Sequence, residues 1–360
     1  KKSVKEILFS KARRVMVNPF SLTFGKSPLE IIARPIQISE VVESFSAETV
    51  NQQVFLITGL RGSGKTVLMT EVCKIFRQES DWIVLELNPE LDLLESLMSK
   101  LVSNNQCAEI FKSAKINLSF WGFGLELGGT AQITDRETAI TKMLESLKKK
   151  KKRLLISIDE VTDSEYMRIF ASSFQIFIRQ DLPVFLLMTG LYENIEELQN
   201  EKNLTFLYRT PKIELKGLNI RAIASKYKSI FNLEEKAALR MAKLTKGYPF
   251  AFQVLGFLTW NKNGDFESVL DEYQQYLEEF VYEKLWSELS PKDKFILNGM
   301  ANAKDNKIIS IREELNIDTN SFNPYRKRLM KKGLVDGDEH GVLKFTLPFF
   351  EDFVRAVYEE

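Results

Sequence analysis

The chain has 360 residues, 44% hydrophobic and 28% charged, too long for one compact core, so two or three domains are expected. Its 50 Lys+Arg against 49 Asp+Glu leave a net charge of +1, which excludes bulk affinity for polyanions and confines any nucleic-acid surface to a local patch. A single histidine, His340 in a glycine-bounded DEHGV turn, excludes histidine triads and His-rich metal sites.

Residues 1–50 read as an N-terminal segment: a short basic amphipathic stretch, then an irregular Pro/Gly-punctuated run from Asn18 to Pro35, with Ser39 as a helix N-cap before EVVESF. The apolar run VFLIT predicts a buried strand and is followed at once by GLRGSGKT. There Gly59, Gly64, Lys65 and Thr66 fill the G-x-x-x-x-G-K-[ST] pattern of a phosphate-binding P-loop. Glycines allow the backbone N–H groups to point inward, and the helix starting near Lys65 adds its positive end to the same concavity. The expected contacts are Gly59, Leu60, Arg61, Gly62, Ser63, Gly64, Lys65, Thr66 and Val67, with Lys65 on the outer phosphates and Thr66 offering a hydroxyl to Mg²⁺.

DWIVLELN reads as a second core strand and LDLLESLMSKLVS as a helix. Residues 115–134, KINLSFWGFGLELGGTAQIT, alternate in a β manner and read as a hairpin insertion, its Phe120, Trp121 and Phe123 better suited to a core than to an interface. A helix then ends in the basic run Lys148–Arg153, which complements its dipole rather than marking a nucleic-acid patch.

The strand LLISIDEV delivers Asp159 and Glu160 at its carboxyl end. In a parallel α/β sheet that is also the edge of the P-loop. Asp159 would hold Mg²⁺ through water, and Glu160 would orient or deprotonate an attacking water. PVFLLMTGL is a further buried strand that places Thr189 as a polar sensor beside the outer phosphate. Arg209, in FLYRTPKIEL, is either an arginine finger for a neighbouring subunit's ATP or a surface charge. The core thus spans 51–218 and a helical domain follows at 219–286.

Residues 287–360 show three helices, PKDKFILNGMAN, IISIREELNI and TNSFNPYRKRLMKKGLV, then DGDEHGVLKFTL as a two-stranded wing and an amphipathic closing helix. That order is a winged helix. Arg326, Lys327, Arg328, Lys331 and Lys332 cluster where a recognition helix would meet duplex DNA. Asp336, Asp338 and Glu339 in the wing would repel phosphates, so DNA and a protein partner both stand.

Together, GLRGSGKT, ISIDE, MTGL, YRTPKIELKGL, the GYP break and the trailing winged helix resemble the AAA+ ATPases similar to Orc/Cdc6 initiators and the archaeal-ATPase group of STAND proteins. The resemblance implies an α/β P-loop NTPase sandwich with a parallel sheet and the P-loop strand central, followed by a helical lid and a winged helix. It also implies ATP or ADP with Mg²⁺ as ligands. Ile32 and Arg34 take an adenine-side place, and Tyr248 and Pro249 match a Gly-x-Pro break that can reach the nucleotide. TKGYPFAFQVLG carries Gln253 and no arginine in the following turns, where many AAA+ lids offer one. A slow switch, acting on DNA or a protein partner or by self-association, fits that departure better than rapid coupled hydrolysis, and a nucleotide-held scaffold is the alternative. Cys73 and Cys107 read as free thiols of a cytoplasmic protein, since no secretory signal or membrane-length apolar run is present.

Overall fold

The computed structural model describes residues 17–22, 28–114, 136–202 and 204–358; the 115–134 insertion lies outside them. The chain divides into a sheet unit, Ala33–Lys216 with Lys331–Gly333, and a helical unit made of Lys1–Ile32, Gly217–Met330 and Leu334–Glu360.

In the sheet unit α1 (Pro35–Ser46) precedes β1 (Val54–Thr58), α2 (Lys65–Gln78) and β2 (Trp82–Leu87). Next come α3 (Leu93–Ser103), α4 (Asn105–Ser113), α5 (Arg136–Lys149) and β3 (Arg153–Ile158). The rest is α6 (Glu165–Arg179), β4 (Val184–Gly190), α7 (Tyr192–Asn200), the one-turn α8 (Thr205–Tyr208) and β5 (Lys212–Glu214). The strands form a parallel sheet in the order β2-β3-β4-β1-β5. The middle strand is therefore β4, and the P-loop strand β1 lies between it and the short β5, a correction to the expected central place.

Both faces of the sheet are covered, which is why its strands are continuous apolar runs rather than alternating ones. Val54 and Leu56 of β1 join Leu154, Ile156, Leu186 and Met188 in a core with α3 to α7. Phe55 and Ile57 turn the other way, to Val41 and Phe45 of α1 and to Leu68, Val72 and Phe76 of α2. This period-two division produces a three-layer α/β/α sandwich. On the second face Phe45, Phe55, Phe76, Trp82 and Phe185 stand edge to face or tilted, 4.1 to 6.1 Å apart, and each buried ring contributes roughly 2–3 kcal/mol by area.

Local signals set the helix ends. Asp92 caps α3 through Glu95 N and Ser164 caps α6 through Met167 N. Helix α1 begins at Pro35, whose fixed φ suits a first helical position, with Arg34 as its N-cap. Ser39 is thus inside the helix and not its cap. Helix α5 stops at Lys149 within the basic run, and Lys152 and Arg153 donate to Ser80 O and Phe45 O.

In the helical unit follow α9 (Ile220–Phe231), α10 (Glu235–Lys243), α11 (Pro249–Asn261), α12 (Leu270–Leu277), a π-helical turn (Glu278–Tyr282) and α13 (Glu283–Glu288). Helices α14 (Pro291–Asn302), α15 (Ile308–Leu315) and α16 (Thr319–Lys331) then lead to β6 (Val335–Asp336), β7 (Lys344–Phe345) and α17 (Phe350–Tyr358). β6 and β7 pair antiparallel, Val335 opposite Phe345. The N-terminal Phe20 is buried among Tyr227, Phe231 and Phe252, so this stretch packs with the helices that follow the sheet in sequence. Apart from Lys331–Gly333, the segments expected as lid and winged helix fall in one compact unit. Tyr273 OH donates to Leu244 O at 3.1 Å while its ring meets Phe349 edge-on, and Tyr282 OH donates to Pro348 O at 2.5 Å. Among the described residues no helix is long and apolar enough to cross a membrane. Both cysteines are buried free thiols.

Candidate functional site

Parallel pairing brings three chain segments to one sheet edge. Ile57 is opposite Thr189 and Ile158 opposite Met188, so the P-loop, the Asp159–Glu160 turn and the end of β4 emerge side by side. All five residues of β1 are buried, which anchors the loop that leaves it.

The loop closes on itself. Gly64, the N-cap of α2, has φ 88°, and a Cβ there would meet no atom within 4 Å. The residue is needed for its left-handed backbone, and the space beside it lies open to a ligand. Gly59 serves close approach: a Cβ on it would come within 2.6 Å of Ser63 Oγ. Ser63 Oγ is itself buried without a hydrogen-bond partner, an orphan of the kind that a phosphate oxygen satisfies.

Lys65 is 7% exposed, and its Nζ donates to Gly59 O at 3.0 Å and Leu60 O at 2.9 Å. Burial pulls its pKa down to about 8, against the opposing pull of Glu160 and Asp159 and with help from Arg61. Thr66 Oγ1 donates to Asp159 Oδ2 at 2.7 Å. With its proton directed at the carboxylate, the hydroxyl's lone pairs remain available to a cation. Thr189 Oγ1 donates to the other oxygen, Asp159 Oδ1, and accepts from Glu160 N at 3.0 Å. Glu160 is exposed and holds a left-handed backbone, φ 53°. Thr189 is fully buried, and its hydroxyl belongs to this network.

Arg34 donates through Nη2 to Lys216 O at 2.7 Å and to Ser63 O at 3.4 Å. Burial lowers its pKa. It clasps the backbone of the P-loop, a role that sequence reasoning missed. Ile32, Tyr248 and Pro249 belong to the helical unit, where Tyr248 is buried as the N-cap of α11 and Pro249 is its first residue. Arg209 is exposed and lines a cavity of about 320 Å³ with Gln53, Gln175 and Thr210. That cavity is at the amino end of β1, the opposite edge from the P-loop, so Arg209 does not join this site within the chain.

The basic residues of α16 divide. Arg328 grips Asp293 Oδ1 through Nε at 2.9 Å and Nη2 at 2.6 Å, and Asp293 is 1% exposed. Lys331 lies 3.8 Å from Glu196 and over the Tyr192 ring, and Lys332 pairs with Glu193. Arg326 Nε is buried with no hydrogen-bond partner, and Lys327 is exposed. Arg328 is thus engaged by a buried carboxylate, while part of its side chain stays exposed. The run YENIEEL after β4 was the available signal for the carboxylates facing Lys331 and Lys332.

Residues 34–207 match a family described as an ATPase domain predominantly from Archaea, and residues 279–354 match a domain of unknown function, DUF8462. The fold is similar to that of the Walker-type ATPase PABY2304 of Pyrococcus abyssi, at 18% identity and TM-score 0.63 over 90% of this chain and 96% of that one. It is also similar to the Aeropyrum pernix ORC2 protein, solved as ADPNP–ADP complexes, at 14% identity and TM-score 0.58 over 94% and 96%. No curated protein matches the sequence. The matched segment, 34–207, contains the P-loop, the Asp159–Glu160 turn and Thr189, and the two structural neighbours share the fold.

Proposed function

We propose that the chain is an ATP-binding, Mg²⁺-dependent ATPase that works as a slow conformational switch. The observation that carries this reading is the Thr66–Asp159 hydrogen bond of 2.7 Å at the start of the P-loop helix. It sets a hydroxyl and a carboxylate side by side next to the phosphate cradle, with Glu160 the following residue. The orphaned Ser63 Oγ, the space beside Gly64 and the buried Lys65 fit nucleotide phosphates. Thr66 and Asp159 fit Mg²⁺. One hydroxyl and one carboxylate leave most of the coordination sphere to phosphate and water, the ligand mix that Mg²⁺ favours. When bound, Mg²⁺ would neutralise charge developing on the phosphates.

Lys65 then leaves the Gly59 and Leu60 carbonyls for the phosphates. Asp159 orients Thr66 and would hold a bound metal through its water ligands, and Glu160 would polarise the attacking water. The C-terminal helices and wing supply the output. On duplex DNA the contacts would rest on Lys327 and Arg326, since Arg328 and Lys331 face carboxylates. Arg209 could meet an outer phosphate only of a second copy.

Steady-state ATP hydrolysis by wild type, Lys65→Ala and Glu160→Gln, with and without duplex DNA, tests the reading. Turnover abolished by both substitutions is expected, and stimulation by DNA would assign the output to DNA rather than to a protein. Tight Lys65-dependent ATP binding without turnover would leave a nucleotide-held scaffold instead.

A further inference from the structure

A threonine hydroxyl has one proton to donate and two lone pairs to accept with. In Thr189 the proton goes to Asp159 Oδ1 and one lone pair takes the amide of Glu160. A phosphate oxygen is an acceptor only, so this hydroxyl has nothing to offer it. The side chain is also wholly buried. The sensor role expected from its place at the end of β4 is therefore not the one its hydrogen bonds describe.

The same bonds describe a different role. Asp159 is held at both oxygens by threonines from separate elements, Thr66 of α2 and Thr189 of β4, so its carboxylate plane has little freedom. The amide of Glu160 is tied to the Thr189 hydroxyl, and the next amide, Val161 N, is tied to Thr189 O at 2.8 Å. Between those ties Glu160 adopts φ 53°, a conformation that a non-glycine residue keeps only when its surroundings impose it. Thr189 supplies both of these ties, one through its hydroxyl and one through its backbone carbonyl.

We infer that Thr189 is a positioning residue that aligns the Asp159 carboxylate and the Glu160 backbone, and that it acts on the metal and the water through them rather than on the γ-phosphate. This rests on the nucleotide reading proposed above for its consequences, though not for its geometry.

Thr189→Val keeps the shape and removes the hydroxyl; Thr189→Ser keeps the hydroxyl. Two measurements on the full chain decide the matter. In hydrogen exchange without nucleotide, the Glu160 amide should lose protection by roughly tenfold or more in Thr189→Val and regain it in Thr189→Ser. Unchanged protection in the valine variant overturns the inference, whatever nucleotide does. In binding assays, ATP and ADP affinities measured in EDTA should be alike in wild type and Thr189→Val. The Mg²⁺ concentration that tightens ATP binding should rise by about 10-fold, the scale of lost outer-shell support. In an Asp159→Asn background the valine substitution should add nothing further, because its effect passes through that carboxylate. A selective loss of Mg-free ATP affinity relative to ADP would instead make Thr189 a γ-phosphate sensor and overturn the inference. Absence of any nucleotide binding by wild type would sink the ATPase reading, while the exchange arm would still decide the positioning role.

Discussion

Lys65 donates its ammonium to the carbonyl oxygen of Leu60, five residues earlier in the same loop, at 2.9 Å. The residue that the P-loop pattern assigns to phosphate is held by the loop's own backbone and is almost fully buried, with burial bringing its pKa to about 8 from the ordinary 10.5.

A folded-state value below the unfolded one means that, from about pH 8 to 10.5, the unfolded chain holds a proton that the folded chain has released. Stability should therefore rise with pH through that window by up to roughly 3 kcal/mol from this group. Below about pH 8 the cost of the buried ammonium is fully present. Urea unfolding at pH 7.5, 8.5 and 9.5 checks this; Lys65→Met should be more stable at pH 7.5 and lack the rise.

Nucleotide should reverse that shift, because an anion beside Nζ favours the charged amine. At pH near 8.5 ATP binding should take up a fraction of a proton, read by calorimetry in buffers of different ionisation enthalpy, and Lys65→Ala should take up none.

Arg34 should behave as a brace for the loop. Arg34→Met removes charged donors from Ser63 O and Lys216 O and should cost about 1.5–3 kcal/mol of stability, together with nucleotide affinity. Arg34→Lys should restore only part of both, since one ammonium cannot reproduce the planar fork. Thermal unfolding and ATP titration of the two variants separate the effects.

Asp293 and Arg328 should report on folding and not on nucleic acid. Asp293→Ala removes a buried acceptor from a guanidinium that stays partly in water, so a loss of about 1–2 kcal/mol is expected. Lys327→Ala should leave stability within ~0.5 kcal/mol. If duplex DNA is bound, the Lys327 variant should weaken it and flatten its salt dependence. Melting curves alongside DNA titrations at two salt concentrations test both.

Tyr282→Phe should destabilise the helical unit by roughly 1 kcal/mol, the net worth of the hydroxyl donated to Pro348 O. Amide exchange near Phe349, which has φ 55°, should quicken while the P-loop amides stay as they were.

The elements that carry the site were legible because their signals are local. VFLIT, LLISI and PVFLLMTG are unbroken apolar runs, as strands covered on both faces must be, and the glycines and lysine of GLRGSGKT are spaced by the requirements of one short loop. Local reading also had its failures. Helix α4, for which the sequence suggested no element, starts at the Asn104 cap, whose oxygen accepts from Gln106 N and Cys107 N, and Pro35 rather than Ser39 set the start of α1.

What a sequence by itself determined here was which residue types arrive at the edge of the sheet: a P-loop, an Asp-Glu pair and a strand-end threonine. Which of them are free to meet a ligand was decided only by tertiary structure. Thr66 and Asp159 are 93 positions apart and Thr189 and Asp159 are 30 apart, and the order β3-β4-β1 is what lets one carboxylate collect both hydroxyl protons. Arg328 and Lys331 looked equivalent to Lys327 in the chain and became different through Asp293 and Glu196, acids 35 and 135 positions away. A hydroxyl has one proton and a buried charge requires a partner, so the role left to each group depends on neighbours that the sequence does not place beside it.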